Sequence, residues 1–237
     1  MHTLLVSGDS WTSCWPLEED LGHRDHGWPS LVANALDFVL IDKSRAGTSN
    51  YRIYRKAVEG ILDPTVDTVI VFLTSWTRFE TGSTYGDKPG QIYQHQPGID
   101  ADIFEKFFNG YKNYTDSLRM IISLQALASV HNTDCWFLDT FSKNIYKDIT
   151  ISDFKKILKL NPKEFDNIDD DRIRDKFKKV KVLESAVDWT SFISDQSYQQ
   201  IIHNCRLVKG HPVEDGHLRI AQVVIDFLRE VNNGKTI

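Results

Sequence analysis

The chain has 237 residues, of which 41% are hydrophobic and 26% charged, and it carries a formal charge of −5. This is the composition of an ordinary soluble globular protein, and a single domain of this length buries enough surface to fold without disulfides or metal. A net negative body argues against an obligate nucleic-acid or anionic-membrane surface, because neither phosphate nor lipid-headgroup binding gains from it, and leaves room only for a local basic patch. Cys14, Cys135 and Cys205 are far apart in sequence and form neither a disulfide framework nor a zinc spacing. Met1 leads directly into a short apolar run, so no secretory leader is expected, and no stretch approaches the roughly 18 apolar residues of a membrane span. The expected location is the cytoplasm.

Thr3 to Val6 is an apolar run that stops at Ser7-Gly8-Asp9, short enough for a buried strand and too short for a helix. Trp28 to Leu36 places apolar residues at helical spacing, and Val39 to Ile41 reads as the next strand. Turn chemistry around Gly47 precedes a helical stretch from Tyr51 to Ile61, which Asp63-Pro64 ends. Thr68 to Leu73 is a continuous, β-branched run suited to a central parallel strand covered on both faces. Residues 79–100, rich in Gly, Pro, Tyr and Gln, read as a long loop of the kind that usually has a function. A long helical pattern covers Ile103 to Val130, followed by a strand at Cys135 to Leu138.

The alternation of strand and helix predicts an α/β fold, a doubly wound parallel sheet flanked by helices in three layers, flavodoxin-like in its arrangement. One domain, 1–237, is expected. Alternation ceases over 141–204, where Asp153 to Leu160 and Asp169 to Lys179 are charged helical stretches, so this segment reads as a helical insertion or lid. Asp169-Asp170-Asp171 is read as a solvated helix start with carboxylates at the positive dipole end. No turn glycine or further oxygen ligands follow to make it a calcium loop. Pro212 to Val231 reads as a closing amphipathic helix that opens on its proline.

In open parallel sheets, sites form at the carboxyl ends of strands. Asp9 and Ser10 stand there after the first strand, Gly47 after the second, and Thr74 to Arg78 after the third, while His211 precedes the last helix. A serine hydroxyl becomes a useful nucleophile only when a neighbouring base takes its proton. His23, Asp25 and His26 read as a polar loop and not as a metal site, and no metal is expected. Trp11, Trp15, Trp76, Tyr85 and Tyr93 fall on loops near the proposed site, where aromatic rings suit stacking on sugars as well as core packing.

Leu5-Val6-Ser7-Gly8-Asp9-Ser10 resembles the first block of the SGNH (GDSL-like) hydrolases, and Ser44-Arg45-Ala46-Gly47-Thr48-Ser49 resembles their second. His211-Pro212, with Gly216-His217 following, resembles their last. The resemblance implies a serine esterase acting through an acyl-enzyme, with Ser10 as nucleophile and oxyanion donor, Gly47 as a backbone donor and His211 as base. The third block, normally Gly-x-Asn-Asp, aligns with Thr74-Ser75-Trp76-Thr77, leaving the Trp76 indole N–H or the Ser75 or Thr77 hydroxyl to replace the asparagine. Such Thr-Ser-x-x-Arg-x-Glu runs resemble divergent members of the family, some of them phage-encoded; virion association is the expectation only for a phage-encoded chain.

The acid normally found three positions before the histidine is replaced by Val208. A second register makes His217 the base, with Glu214 as its acid and Asp215 beside it. His211 is favoured because it would lie on the loop over the sheet edge, whereas His217 falls inside the helix. Arg78 reads either as the surface partner of Glu80 or as a ligand for an anionic or hydroxylated part of the substrate. Thr74, Ser75, Thr77 and Asn50 are counted with Arg78 as substrate-binding candidates. The expected substrate is a small O-acyl ester, an O-acetyl group on a glycan foremost, with no cofactor, nucleic-acid partner or membrane. Two alternatives are an inactive SGNH domain kept as a carbohydrate-binding or assembly module, and a lipase or thioesterase.

Overall fold

The structure is a computed structural model that describes residues 1–12, 27–46, 48–75, 79–85, 88–92, 109–139, 147–159, 165, 168–208 and 211–234. Strands β1 (His2–Ser7), β2 (Phe38–Asp42), β3 (Thr68–Leu73) and β6 (Asp134–Asp139) form one parallel sheet in the order β2-β1-β3-β6. Helices α1 (Trp28–Leu36), α2 (Asn50–Leu62) and α3 (Gly110–His131) connect them, as expected of a doubly wound sheet.

β3 shows why the sheet is central. Every residue of Thr68–Leu73 is buried, with Val69, Val71 and Leu73 on one face and Ile70 and Phe72 on the other. The first face packs on Ile53, Ala57 and Ile61 of α2 and on Tyr114, Leu118 and Ile121 of α3. The second packs on Trp28 and Val32 of α1 and on Ile220, Val224 and Leu228 of the last helix, α7 (Glu214–Gly234). Two apolar layers therefore sandwich the sheet, giving the three-layer α/β/α architecture.

Three expectations are corrected. Within the stretch read as a loop at 79–100, Phe79–Tyr85 (β4) and Lys88–Ile92 (β5) form an antiparallel hairpin. The segment 141–204 carries helices α4 (Ile151–Lys159), α5 (Asp170–Ser185) and the one-turn α6 (Tyr198–Ile201) but is not only helical. Phe192 bridges Phe137 in parallel, and the Ile193 N–H donates to the Phe137 carbonyl at 2.9 Å, so this segment touches the edge strand β6 through one isolated bridge. The closing helix starts at Glu214 instead of Pro212, because Pro212 is taken up in a two-residue strand. The helix expected from Tyr51 to Ile61 is α2, whose N-cap Ser49 accepts the Arg52 N–H at 3.3 Å. The acidic start of α5 is as expected: Asp169 is its N-cap, accepting the Arg172 N–H at 2.8 Å.

β1 leads to β2 on one side, while β3 and β6 lie on the other, so the strand order reverses between β1 and β3. A crevice opens outside the carboxyl ends of strands at such a switch point. The carboxyl end of β1 carries Gly8, Asp9 and Ser10, and that of β3 carries Thr74.

Candidate active site

Ser7-Gly8-Asp9-Ser10 leaves β1 and turns at once. The Thr12 N–H donates to the Asp9 carbonyl at 3.1 Å, and the Trp11 N–H donates to Asp9 Oδ1 at 2.9 Å, so the aspartate side chain closes the turn on itself. Gly8 is required by close approach: a Cβ there would lie 2.1 Å from Thr12 Oγ1 and 2.9 Å from Phe72 Cβ. The loop after β2 is tied to the same strand end by the Arg45 N–H, which donates to the Gly8 carbonyl at 3.1 Å.

This turn sets Ser10 Oγ 2.8 Å from His211 Nε2, across 201 residues of sequence. Ser10 is only 4% exposed, and His211 is half-buried. His211 is held by a short hairpin in which β7 (Leu207–Val208) pairs with β8 (His211–Pro212), with Val208 opposite His211 and Leu207 opposite Pro212. The hairpin is fastened at its base by Asp215, whose Oδ2 accepts the Arg206 N–H at 3.0 Å and whose Oδ1 accepts the Gly216 N–H at 2.9 Å. The Trp11 ring stands edge-on to the His211 imidazole at 6.3 Å and packs on Tyr198 at 5.4 Å. Tyr198 also meets Phe72 at 5.0 Å, so an aromatic wall backs the histidine.

His217 is elsewhere. It is completely buried where α7 packs on α1, and its Nδ1 accepts the Trp28 N–H at 3.3 Å. Burial pushes its pKa down to about 4, against a weaker upward pull from Asp215. Its Nε2 has no hydrogen-bond partner among the described residues. The imidazole that meets Ser10 is therefore that of His211, and His217 is a neutral packing group. Glu214 is exposed in the first turn of α7.

Asp9 is fully buried, and its Oδ2 accepts the Thr74 hydroxyl at 2.8 Å. Asn50, read from sequence as a substrate ligand, turns its amide onto the backbone of Thr74. Ser75 is half-buried. Gly47, Trp76, Thr77 and Arg78 lie outside the described residues, as do Cys14, Trp15, His23, Asp25, His26 and Tyr93; Tyr85 lies in β4, where only the backbone is described. What sequence reasoning missed is the work of Asp215, which ties Arg206 to the start of α7, and of Thr74, whose partners Asp9 and Asn50 are 65 and 24 residues away and leave no local pattern.

A polar groove of about 440 Å³ lies at the opposite, amino-terminal end of the strands, bounded by His2, Asp67, His131 and Asp134. His2 is engaged there with the Thr68 hydroxyl at 2.8 Å and with Asp67 at 3.7 Å. The Ser10–His211 pair lies at the other end of the sheet. Among the described residues no group of three or more His, Cys, Asp or Glu could hold a metal ion. No helix among them is long and apolar enough to cross a membrane.

No family model matches the chain. A search of curated proteins likewise finds no match. Solved structures do resemble it over nearly its whole length. The psychrotrophic esterase EstA from Pseudoalteromonas sp. is 14% identical, with a TM-score of 0.52 and coverage of 98% of this chain and 100% of that one. TesA is 12% identical, with a TM-score of 0.51 and coverage of 97% and 99%. A catalytic mutant of an acetylxylan esterase from Geobacillus stearothermophilus is 13% identical, with a TM-score of 0.50 and coverage of 96% and 94%. At such identities the likeness speaks for the fold alone: the chain has the three-layer α/β/α fold of these structures.

Proposed function

We propose that the chain is a serine esterase that hydrolyses a small O-acyl ester through an acyl-enzyme, with Ser10 as nucleophile and His211 as base. The observation that carries this reading is the 2.8 Å separation of Ser10 Oγ and His211 Nε2. A hydroxyl is activated when a base stands within hydrogen-bond reach, and this distance meets that requirement. In the scheme His211 Nε2 takes the hydroxyl proton as Oγ bonds to the ester carbonyl carbon. The tetrahedral oxyanion then collapses, the C–O bond to the alcohol breaks, and the alcohol leaves with the proton from His211. Water, deprotonated by the same nitrogen, releases the acid and restores Ser10.

The oxyanion donors in this proposal are the backbone N–H groups of Ser10 and Gly47 and the Trp76 indole, with Arg78 reaching the rest of the substrate. Removing one such donor typically costs about 10²- to 10³-fold in kcat, so Trp76→Phe is expected to lower kcat by that order with KM little changed. An acetyl ester of a carbohydrate is the substrate we favour. It is the kind of compound named for the Geobacillus acetylxylan esterase and for a carbohydrate acetylesterase family member from Sinorhizobium meliloti, whose fold this chain shares at a TM-score of 0.50. The test is hydrolysis of p-nitrophenyl acetate and of acetylated xylo-oligosaccharides by the wild type, set against Ser10→Ala with its melting temperature unchanged.

Val208 favours a second reading, since an active triad would carry an acid there. In it the domain binds a carbohydrate without turning it over. Binding of the glycan with no hydrolysis by the wild type would select that reading.

A further inference from the structure

Three chain segments meet at the switch point through side chains that are almost wholly buried. Asp9 is 0% exposed, Thr74 is 1% and Asn50 is 5%. Asp9 Oδ2 accepts the Thr74 hydroxyl at 2.8 Å. The Thr74 N–H donates to Asn50 Oδ1 at 2.8 Å, and Asn50 Nδ2 donates back to the Thr74 carbonyl at 2.9 Å. The carboxamide of Asn50 thus pairs with the backbone of Thr74 as a neighbouring strand would. On its far side Asn50 Nδ2 also reaches Ser117 Oγ at 3.4 Å, which ties the cluster to α3. Buried polar groups paired in this way are costly to separate, so the cluster holds its geometry more firmly than surface contacts do.

The positions of these residues matter for catalysis. Asp9 precedes Ser10 and shapes its turn, Asn50 follows Gly47 by three residues, and Thr74 precedes Trp76 by two. These are the three segments from which the proposed oxyanion donors come. We infer that Asp9, Thr74 and Asn50 form a positioning network that fixes the nucleophile turn relative to the end of β3 and the start of α2. Asn50 is then a positioning residue and not a substrate ligand, and the Thr74 hydroxyl is its connection to the nucleophile. This inference rests on the esterase reading above.

The test is steady-state hydrolysis of p-nitrophenyl acetate, with kcat normalised to active sites by titration with a fluorophosphonate, for wild type, Thr74→Val, Thr74→Ser and Asn50→Asp. Valine keeps the shape of threonine but removes the donor to Asp9, whereas serine keeps the donor. Aspartate at 50 sets an acceptor against the Thr74 carbonyl. Misplacement of reacting groups by about 1 Å can cost about 100-fold, so Thr74→Val and Asn50→Asp are expected to lower kcat by about 10- to 100-fold with KM little changed, and Thr74→Ser to restore most of it. A Thr74→Val enzyme with wild-type kcat overturns the inference, as does a Thr74→Ser enzyme as slow as Thr74→Val. Should Thr74→Val fail to fold, the comparison of Thr74→Ser with Asn50→Asp decides: the inference requires the first to be fast and the second slow. A wild type that hydrolyses no ester removes the esterase reading and this inference with it, whereas an active wild type matched by Thr74→Val removes this inference alone.

Discussion

Val208 stands directly opposite His211 across the two-residue ladder of β7 and β8. Side chains paired in this way have Cβ atoms about 5 Å apart, so residue 208 is where an acid would support the imidazole. An ionised carboxylate there would stabilise the imidazolium formed when Ser10 gives up its proton. Val208→Asp is therefore expected to raise kcat for p-nitrophenyl acetate if the new carboxylate becomes the partner of the imidazole, and to leave it unchanged if another group already holds that nitrogen. A carboxylate beside a histidine also raises its pKa, and the base must be neutral to act. The acid limb of the kcat/KM profile should accordingly move to higher pH, which a pH series on the two enzymes reads directly.

Asp215 secures the hairpin that carries His211 by accepting the Arg206 and Gly216 N–H groups. Asp215→Ala leaves both donors without this acceptor, and the loss of such a bond near a helix start costs about 1 kcal/mol. The expected result is a small drop in melting temperature together with a fall in kcat, as His211 samples positions away from Ser10. Asp215→Asn retains one acceptor oxygen and should recover part of both.

His217 makes folding sensitive to acid. Its pKa is about 4 in the folded chain against the ordinary 6.5, so the unfolded chain binds the proton more readily. Its contribution to stability is fully present above pH 6.5, falls as the pH drops through 6.5, and is lost on reaching about 4. A shift of this size corresponds to about 3 kcal/mol across that window. Chemical denaturation at several pH values should show the decline, and His217→Gln should flatten it while the protein still hydrolyses ester at pH 8.

Much of the fold was legible in the sequence because hydrophobic periodicity is local. The all-buried β3 declares itself in Thr68–Leu73, and α1 in the spacing of Trp28, Leu31, Val32, Ala35 and Leu36, of which Trp28 and Val32 are buried. Ser10 and His211 do meet, at 2.8 Å, but their pairing was expected from the resemblance of the first and last sequence blocks to those of the SGNH hydrolases and not from any local pattern. Less was visible where structure depends on distant partners. Gly and Pro mask the β4–β5 hairpin, and Phe192 joins the sheet through a single bridge to Phe137. Pro212 suggested a helix start, but its pairing with Leu207 makes it part of β8. Asn50 and Thr74 are 24 residues apart, and a side-chain amide pairing with a backbone leaves no periodic trace.

The pairing of Ser10 with His211 is tested most directly by reaction with a fluorophosphonate, followed by intact-mass and peptide mass spectrometry. The folded wild type should take up one adduct, on Ser10. Ser10→Ala should take up none, and His211→Ala should react more slowly by about 100-fold or more. His217→Gln should still be labelled. No adduct on Ser10 in the folded protein, or labelling of His211→Ala at the wild-type rate, would contradict the assignment of these two residues as nucleophile and base.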